Sequence, residues 1–305
     1  MSWLVATFGT DSGIADRLHA RPASEATSHS KTPLFEARIG DVRVSAGGSL
    51  RTCHFGWLSP EREGAWVVLG TGVGVPKHTP GATKRILDRN DWSIAVAHPG
   101  SIQKDIEGQY VVLIAERDNL YCLADPVGLR DLFVSSNDRT TFVTSRLDWL
   151  TSVSPSPTIN TNAFGGRWHF FYQLSYDAII DGVRRLGPGG AAQLTDRTSR
   201  FTRFEWQDSK AEDQLEEVMT ELALAPARSG LPIDLALSGG VDSRLLFGIY
   251  AASDLGRWST HTFGSPETTD AVIARSLASS YGIPHKQYYH PFDLHAVERT
   301  LIEFA

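Results

Sequence analysis

One short run of residues combines the side-chain types and the spacing that a phosphate site needs. Residues 235–244 read Leu-Ala-Leu-Ser-Gly-Gly-Val-Asp-Ser-Arg, so that an apolar strand leads into two glycines and then into an amphipathic helix. Gly239 and Gly240 permit a tight turn whose N–H groups point inward, and Ser238 and Ser243 add hydroxyls at the positive end of the helix. The sequence therefore predicts a cradle for phosphate oxygens.

Asp242 lies in the middle of this predicted cradle. A carboxylate beside a polyphosphate costs several kcal/mol in a partly dry site unless a cation lies between them, so Asp242 indicates a magnesium site. The alternative is an ordinary Gly-Gly turn between a strand and a helix. The flanks favour the cradle, because Ile233 to Leu237 is typical of a buried parallel strand. The next helix has one apolar face, formed by Leu245, Leu246, Ile249 and Tyr250.

Composition excludes several classes of partner. The chain has 29 basic and 35 acidic residues and a net charge of −6, which gives no footprint for nucleic acid or an anionic membrane. Cys53 and Cys122 lack a paired spacing, so that we expect two packed thiols rather than a zinc site or a disulfide. The apolar run Trp3 to Phe8 is too short for a signal peptide, and no later run approaches the ~18 residues of a membrane span. We expect a soluble cytoplasmic protein.

The length of 305 residues suggests two domains. Hairpins are predicted at Arg117 to Asn119 and at Asn137 to Arg139. Arg21 to Pro33 is typical of a loop or a helix end, and Gly70 to Gly74 of a glycine-rich turn rather than a dinucleotide loop. The strand-like segments of the first two hundred residues are Trp3 to Phe8, Trp66 to Gly70, Ile94 to Ala97, Gln109 to Ala115, Leu120 to Ala124 and Thr141 to Thr144.

The pattern changes near Glu205 to Lys210, where we place the domain boundary. Trp258 to Phe263 is predicted as the parallel strand after the cradle helix, Thr269 to Tyr281 as a helix and Lys286 to Tyr289 as a third strand. Helical spacing joins Leu215, Val218, Met219 and Leu222 before the cradle, and the later helix should turn Ala274, Leu277, Ala278 and Tyr281 inward.

The motif Ser-Gly-Gly-x-Asp-Ser resembles the PP-loop of ATP pyrophosphatases, which cleave ATP to AMP and pyrophosphate. A Walker loop is excluded, because no Gly-Lys-Ser/Thr run occurs in the chain. Three further segments resemble the asparagine synthetase family in the same order. They are Glu107 to Asp118 with Leu123 to Arg130, Phe171 to Leu174 with Ile180 to Gly189, and Thr262 to Pro266 with Gly282 to His285.

This resemblance implies two domains. Residues 1–206 would form an α+β, αββα-layered domain of the N-terminal nucleophile (Ntn) hydrolase type, like the glutamine amidotransferase domain of that family. Residues 207–305 would form the first part of a Rossmann-like α/β PP-loop domain that binds ATP and Mg2+. By resemblance, Ser238, Gly239, Gly240 and Ser243 would hold pyrophosphate and Asp242 the metal. The backbones of Leu235, Ala236 and Leu237, with Phe263 and Gly264, would line the adenosine pocket.

The chain departs from the family at position 2, where Ser2 replaces the nucleophilic cysteine. A terminal thiolate attacks glutamine while its own amine acts as the base, so that glutamine hydrolysis is not expected here. Two interpretations of Ser2 remain: it is an N-terminal nucleophile, or it is an inert serine. A chain without the glutaminase resembles β-lactam synthetases and lasso-peptide macrolactam synthetases. The pair Ser243-Arg244 weakly favours the same relatives.

A second departure is the missing Ser-Gly-Glu-Gly motif with its acidic pair and downstream lysine, which suggests a fragment or a truncated chain. Three hypotheses follow. They are a macrolactam or β-lactam synthetase, an asparagine synthetase relative that uses ammonia, and a remnant that binds ATP without turnover. The expected partner is a small-molecule or peptide carboxylate, joined for a macrolactam synthetase by a peptidase or a precursor peptide. A homodimer stays open.

Two further groups of residues are interpreted as structural. His285, His290 and His295 recur every five residues, which places them on different faces of a helix or a strand, so that we expect surface or packing histidines rather than a metal site. The aromatic residues Trp168, Phe170, Phe171 and Tyr172 are predicted to fill the core near the domain junction.

Overall fold

The computed structural model describes residues 2–24, 33–76, 83–153, 156–171, 175–195, 198–205, 215–253 and 255–289. The chain divides into two compact units, residues 1–210 and residues 211–305. Each unit has its own core and is described by itself.

The first unit is built on two antiparallel sheets. One has the order β11-β9-β10-β1-β3-β2, and the other has the order β13-β12-β8-β7-β5-β4, with β6 paired to β5. The strands are β1 (Trp3–Gly9), β2 (Phe35–Ile39), β3 (Val42–Gly47), β4 (Cys53–Trp57), β5 (Gly64–Gly74), β6 (Arg85–Ile86), β7 (Glu107–Glu116), β8 (Asn119–Ala124), β9 (Phe133–Ser136), β10 (Thr140–Thr144), β11 (Val183–Arg185), β12 (Gly190–Leu194) and β13 (Ser199–Arg203).

Helices cover the outer faces of both sheets. The helices of this unit are α1 (Ser12–Ser24), α2 (Arg89–Val96), α3 (Pro99–Asp105), α4 (Thr161–Phe170) and a 3-10 helix (Leu147–Ser152). Leu18 of α1 and Trp149 of the 3-10 helix pack against one sheet, and Trp92 of α2 and Ile102 of α3 pack against the other. A third cluster fills the space between the sheets. The layered αββα arrangement and the antiparallel sheets are thereby confirmed.

Strand β7 shows why the central strands are apolar at almost every position. Val111, Leu113 and Ala115 point into the space between the sheets, whereas Val112 and Ile114 point to the helices outside. Because both faces of the sheet are covered, the strand cannot alternate apolar and polar residues. Both predicted hairpins form, since β7 pairs with β8 and β9 pairs with β10, each antiparallel.

The second unit alternates helices with parallel strands. Its elements are α5 (Leu215–Arg228), β14 (Ile233–Ala236), α6 (Val241–Ala252), β15 (Trp258–Phe263), α7 (Thr269–Ser280) and β16 (His285–Tyr288). The strands form a parallel sheet of order β14-β15-β16. Ala223 of α5, Phe247 of α6 and Ala274 of α7 join one cluster with Trp258, so that three helices share one core with the sheet. The parallel strands predicted from the sequence are present. The prediction that β14 is a buried strand is wrong, because Asp234 and Ala236 are exposed and Ile233 and Leu235 are only partly buried.

Two sequence predictions in the first unit are wrong. Ile94 to Ala97 belongs to α2 rather than to a strand, because Asp88 and Asp91 form a capping box that starts a helix there. Gly70 to Gly74 continues β5 rather than forming a turn. The small residues are needed for packing, since a Cβ on Gly72 would lie 2.4 Å from Cζ2 of Trp92.

The aromatic residues of α4 and Tyr281 also differ from expectation. Trp168 is 75% exposed and Phe171 is 89% exposed, so that neither fills a core, and Tyr172 lies outside the described residues. Tyr281 is 61% exposed, although its ring still touches Phe247. Trp168 and Phe170 lie in the last turn of α4 and Phe171 is its C-cap, so that these neighbouring positions cannot all face the same core.

The segment Arg21 to Pro33 contains the end of α1, which runs to Ser24, and residues 25–32 lie outside the described part of the chain. Among the described residues, no helix has both the length and the apolar character that a membrane span requires.

We predict that Gly72→Ala destabilises the first unit by roughly 1–3 kcal/mol, because the new methyl group must displace the buried ring of Trp92. Gly165→Ala in α4 is the matched control, since no atom lies within 4 Å of its added Cβ. Urea unfolding followed by tryptophan fluorescence measures both. Equal midpoints for the two variants would show that the β5–α2 contact is not tightly packed.

Candidate functional site

The predicted cradle lies at the carboxyl end of β14, where two hydrogen bonds tie it to β15. The N–H of Leu237 donates to the carbonyl of His261 at 2.8 Å, and Oγ1 of Thr262 donates to the carbonyl of Leu237 at 2.6 Å. Leu237 and Thr262 are both buried. The strand end is therefore fixed immediately before the turn begins.

The turn is closed by its own serine hydroxyls. Oγ of Ser238 lies 3.0 Å from Oγ of Ser243 and accepts a hydrogen bond from the N–H of Gly240 at 3.1 Å. The N–H of Ser238 donates to Oγ of Ser243 at 3.1 Å. Both predicted hydroxyls thus meet inside one turn, although five positions separate them in the chain.

Helix α6 begins directly after this turn. Gly240 is its N-cap and provides no side chain, so the first N–H groups of the helix keep no side-chain acceptor from the cap. Gly240, Val241 and Asp242 are exposed. A helix N-terminus of this kind carries partial positive charge, which favours an anion at the surface of the turn.

Asp270 contacts the turn, although the sequence did not predict it as a site residue. Its Oδ1 accepts a hydrogen bond from the N–H of Gly239 at 2.9 Å. A Cβ on Gly239 would lie 2.6 Å from that oxygen and 3.1 Å from Cδ1 of Ile273, so that only glycine fits here without a shift. The signal in the sequence is weak, because an acid in the first turn of a helix is a common N-terminal preference.

Asp242 lies in the first turn of α6 with an exposed side chain. A carboxylate oxygen suits Mg2+, which usually keeps several waters and binds through one or two carboxylates and the substrate's phosphates. Among the described residues, no group of three or more His, Cys, Asp or Glu side chains could hold a metal ion. Asp242 therefore fits a cation shared with a phosphate ligand, and its role stays a prediction.

The residues predicted to line an adenosine pocket lie along two neighbouring strands. Ala236 is in register with His261, so that Leu237 and Phe263 end at the same edge of the sheet. Phe263 is 68% exposed, and Gly264 follows it with a φ of +102°. Ligands of open parallel sheets bind at this carboxyl edge. The side chains of Leu235 and Leu237 instead pack in the core, and both backbone polar groups of Leu237 are already bonded to β15.

A polar and aromatic group lies on the sheet face opposite the helix core. Nδ1 of His261 lies 3.0 Å from Oδ2 of Asp234, and Phe263 stacks on Tyr288 with ring centroids 5.5 Å apart. Partial burial opposes ionisation of Asp234, yet the hydrogen bond from Ser259 and the nearby imidazole of His261 outweigh it and lower the pKa of Asp234. The alternation of β15 places these side chains opposite buried Trp258 and Thr260.

Residues 214–301 match the family model for asparagine synthase. This asparagine synthase segment covers less than a third of the chain and begins just inside the second unit. The family consists of synthetases that use ATP to form amide bonds. The cradle, Asp242, Phe263 and Asp270 all lie inside the matched range, whereas the first unit lies outside it.

Two solved structures resemble the chain weakly. One is glutamine phosphoribosylpyrophosphate amidotransferase from B. subtilis complexed with ADP and GMP, at a TM-score of 0.43 and 12% identity over 97% of this chain and 70% of that chain. The other is described as the allosteric regulatory enzyme of purine biosynthesis, at 0.41 and 12% over 93% of this chain and 64% of that chain. No curated protein matches the sequence. At these TM-scores the likeness supports no conclusion about activity.

Ser2 precedes β1 in the first unit and is buried, with 4% of its surface exposed. Its Oγ lies 2.6 Å from Oγ1 of Thr52. Cys53 and Cys122 are free and buried, and burial raises the pKa of each thiol to about 12, although Arg130 opposes the shift at Cys53. Both thiols are protonated at neutral pH, which confirms that they pack as small apolar groups.

The histidines behave as structural side chains where the structure describes them. Nδ1 of His285 lies 2.9 Å from Oγ1 of Thr260, and burial lowers the pKa of His285. His290 and His295 lie outside the described residues.

A buried polar network surrounds His19 of α1. Oγ of Ser45 donates to Glu36, so that it must accept from Nδ1 of His19 at 2.7 Å. Nε2 then accepts from Oγ1 of Thr7 at 3.2 Å. Burial, with a smaller contribution from Arg43, lowers the pKa of His19 from 6.5 to about 3. His19 is therefore neutral at physiological pH.

We predict that the stability of the first unit falls as the pH drops from about 6.5 to about 3, because unfolded chains bind a proton at His19 that the folded chain rejects. His19→Gln should flatten this part of the profile, and His98→Gln, at an exposed position, should not. Thermal melts across this pH window measure the difference. Parallel profiles for wild type and His19→Gln would contradict the assignment.

Proposed function

We propose that the chain is an ATP-dependent carbon–nitrogen ligase that activates a carboxylate as an acyl-adenylate and releases pyrophosphate. The observation that carries the proposal is the turn of Ser238 to Ser243, which joins two hydroxyls, a glycine pair and a helix N-terminus at the carboxyl edge of a parallel sheet. It lies within the asparagine synthase match. A cytoplasmic location, where ATP is abundant, belongs to the proposal.

In this scheme a carboxylate oxygen of the substrate attacks the α-phosphorus of ATP, and the bond to the bridging oxygen breaks as pyrophosphate leaves. The hydroxyls of Ser238 and Ser243 and the backbone N–H groups of Gly239 and Gly240 would hold oxygens of the leaving pyrophosphate. An amine then attacks the acyl carbon, and AMP leaves as the amine loses its proton to solvent. Mg2+, when bound by Asp242, screens the phosphate charge.

The adenosine would lie against the strand ends. The exposed ring of Phe263 would supply an apolar surface, and the backbones of Leu235, Ala236, Leu237 and Gly264 would border the base. The N–H groups of Leu237 and Gly264 already donate to the carbonyls of His261 and Tyr288. Aromatic and backbone contacts of this kind are typical of cofactor sites.

We further propose that glutamine is not the nitrogen donor. Ser2 is buried against Thr52, and the two thiols of the chain are held protonated. An internal amine of the substrate, as in macrolactam or β-lactam synthetases, removes the need for ammonia. The carboxylate partner would then be a small molecule or a precursor peptide, and a peptidase would act on the same peptide.

Two alternatives predict different products. An asparagine synthetase relative, which the family match supports, would form AMP from aspartate and ammonium. A remnant that binds ATP without turnover is supported by the lack, among the described residues, of any group of three or more His, Cys, Asp or Glu side chains that could hold a metal ion. Both alternatives bind ATP in the same cradle, so that the reaction products, rather than ATP binding, distinguish them.

We predict that Asp242→Asn lowers the exchange of labelled pyrophosphate into ATP by tenfold or more, because the amide cannot replace a charged magnesium ligand. Glu217→Gln, an exposed acid of α5, is the control for loss of one negative charge and should leave exchange unchanged. The assay is run with aspartate and with peptides that carry a free amine and a side-chain carboxylate. Absence of exchange with every carboxylate, alongside saturable MgATP binding, would favour the remnant.

We predict that the wild-type chain releases no glutamate from glutamine and that pyrophosphate exchange is the same with and without glutamine. The physical reason is that the hydroxyl of Ser2 is buried against Thr52 and that burial holds both thiols protonated. Glutamate release is measured by an enzyme-coupled assay with Ser2→Ala as the comparison. Release that disappears in Ser2→Ala would establish serine as the nucleophile and overturn this part of the proposal.

A further inference from the structure

The cradle already holds a negative charge that belongs to the protein. Of the hydrogen bonds in the turn, those of Ser238 and Gly240 are made to serine hydroxyls of the turn itself, whereas the N–H of Gly239 donates to the carboxylate of Asp270 at 2.9 Å. Hydrogen bonds to an ionised acceptor are stronger than neutral ones. Asp270 therefore binds the cradle in the way that a phosphate oxygen would.

Asp270 does not need Gly239 for its own stability. It lies in the first turn of α7, where the helix dipole favours a carboxylate, and the helix is capped independently by Thr268 through the N–H of Ala271. The side chain of Asp270 is exposed. It can thus rotate into water without leaving a buried charge unpaired.

The contact conflicts with occupation by a bare anion. An N–H group makes one well-aligned hydrogen bond, so that a phosphate oxygen can take the proton of Gly239 only when Asp270 releases it. A phosphate oxygen at that point would also lie beside the carboxylate of Asp270, and Asp242 adds a second negative charge in the first turn of α6. A divalent cation removes most of this repulsion.

We infer that Asp270 is a placeholder anion, which occupies the Gly239 donor in the nucleotide-free protein and leaves when a metal-bound polyphosphate enters. This inference rests on the proposed function of the cradle. Its consequence is selectivity, because free phosphate and metal-free nucleotide must compete with a built-in carboxylate. A fixed tether is the contrasting role, in which Asp270 holds the turn in shape and keeps its bond to Gly239 when the ligand binds.

Calorimetric titration with inorganic pyrophosphate, with and without Mg2+, separates these roles. Asp270→Asn keeps a side-chain oxygen for Gly239 but removes the charge, and Asp270→Ala removes both. A placeholder predicts that both variants bind metal-free pyrophosphate roughly tenfold more tightly than wild type, with a smaller gain when Mg2+ is present. Glu267→Gln changes an exposed acid three positions before Asp270; it controls for net charge and should stay within about twofold of wild type.

The opposite results are equally specific. If Asp270→Asn matches wild type and Asp270→Ala binds more weakly, Asp270 is a tether and the placeholder is wrong. Titration of wild type with MgATP distinguishes this from failure of the proposed function, since saturable MgATP binding leaves the cradle standing. Absence of MgATP and pyrophosphate binding in every form overturns both. The Gly239 amide resonance adds a binding-independent check, because removal of the carboxylate in Asp270→Ala should shift it in the ligand-free protein.

Discussion

The site depends on the pair of hydrogen bonds that fix Leu237 to β15. The bonds from Leu237 to His261 and from Thr262 to Leu237 hold the end of β14 in register with its neighbour, and both are buried from water. Because the turn starts one residue later, the pairing of β14 with β15 also fixes the position of its serines and glycines. This pairing therefore positions the turn in which the hydroxyls of Ser238 and Ser243 lie close together.

Electrostatics around the turn explain why its chemistry should need a metal. The N-terminus of α6 and the backbone donors attract an anion, whereas Asp242 and Asp270 repel it. Under the proposed function, a divalent cation that joins the carboxylates to the ligand would relieve this opposition. We therefore expect the turn to prefer a metal-bound polyphosphate to a bare phosphate.

In the first unit, by contrast, several buried polar side chains are hydrogen-bonded within the protein or held in their neutral form. His19 is neutral inside a network with Thr7 and Ser45, and the thiols of Cys53 and Cys122 are held protonated by burial. Two sheets packed face to face with helices outside leave little room for ionised side chains. The position where the resemblance would require a nucleophilic cysteine holds Ser2, while the layered scaffold is present.

The sequence alone determined the βαβ order around the cradle, both hairpins of the first unit and the buried thiols, because each follows from local periodicity or turn chemistry. It failed at Gly72, where a tertiary contact decides: the residue belongs to a strand because the absence of a Cβ leaves room for the ring of Trp92. It also failed at Ile94 for a local reason, because the capping box of Asp88 and Asp91 starts α2 there. Asp270 is separated from Gly239 by thirty-one positions, and only the packing of α7 against the turn brings a carboxylate to that amide.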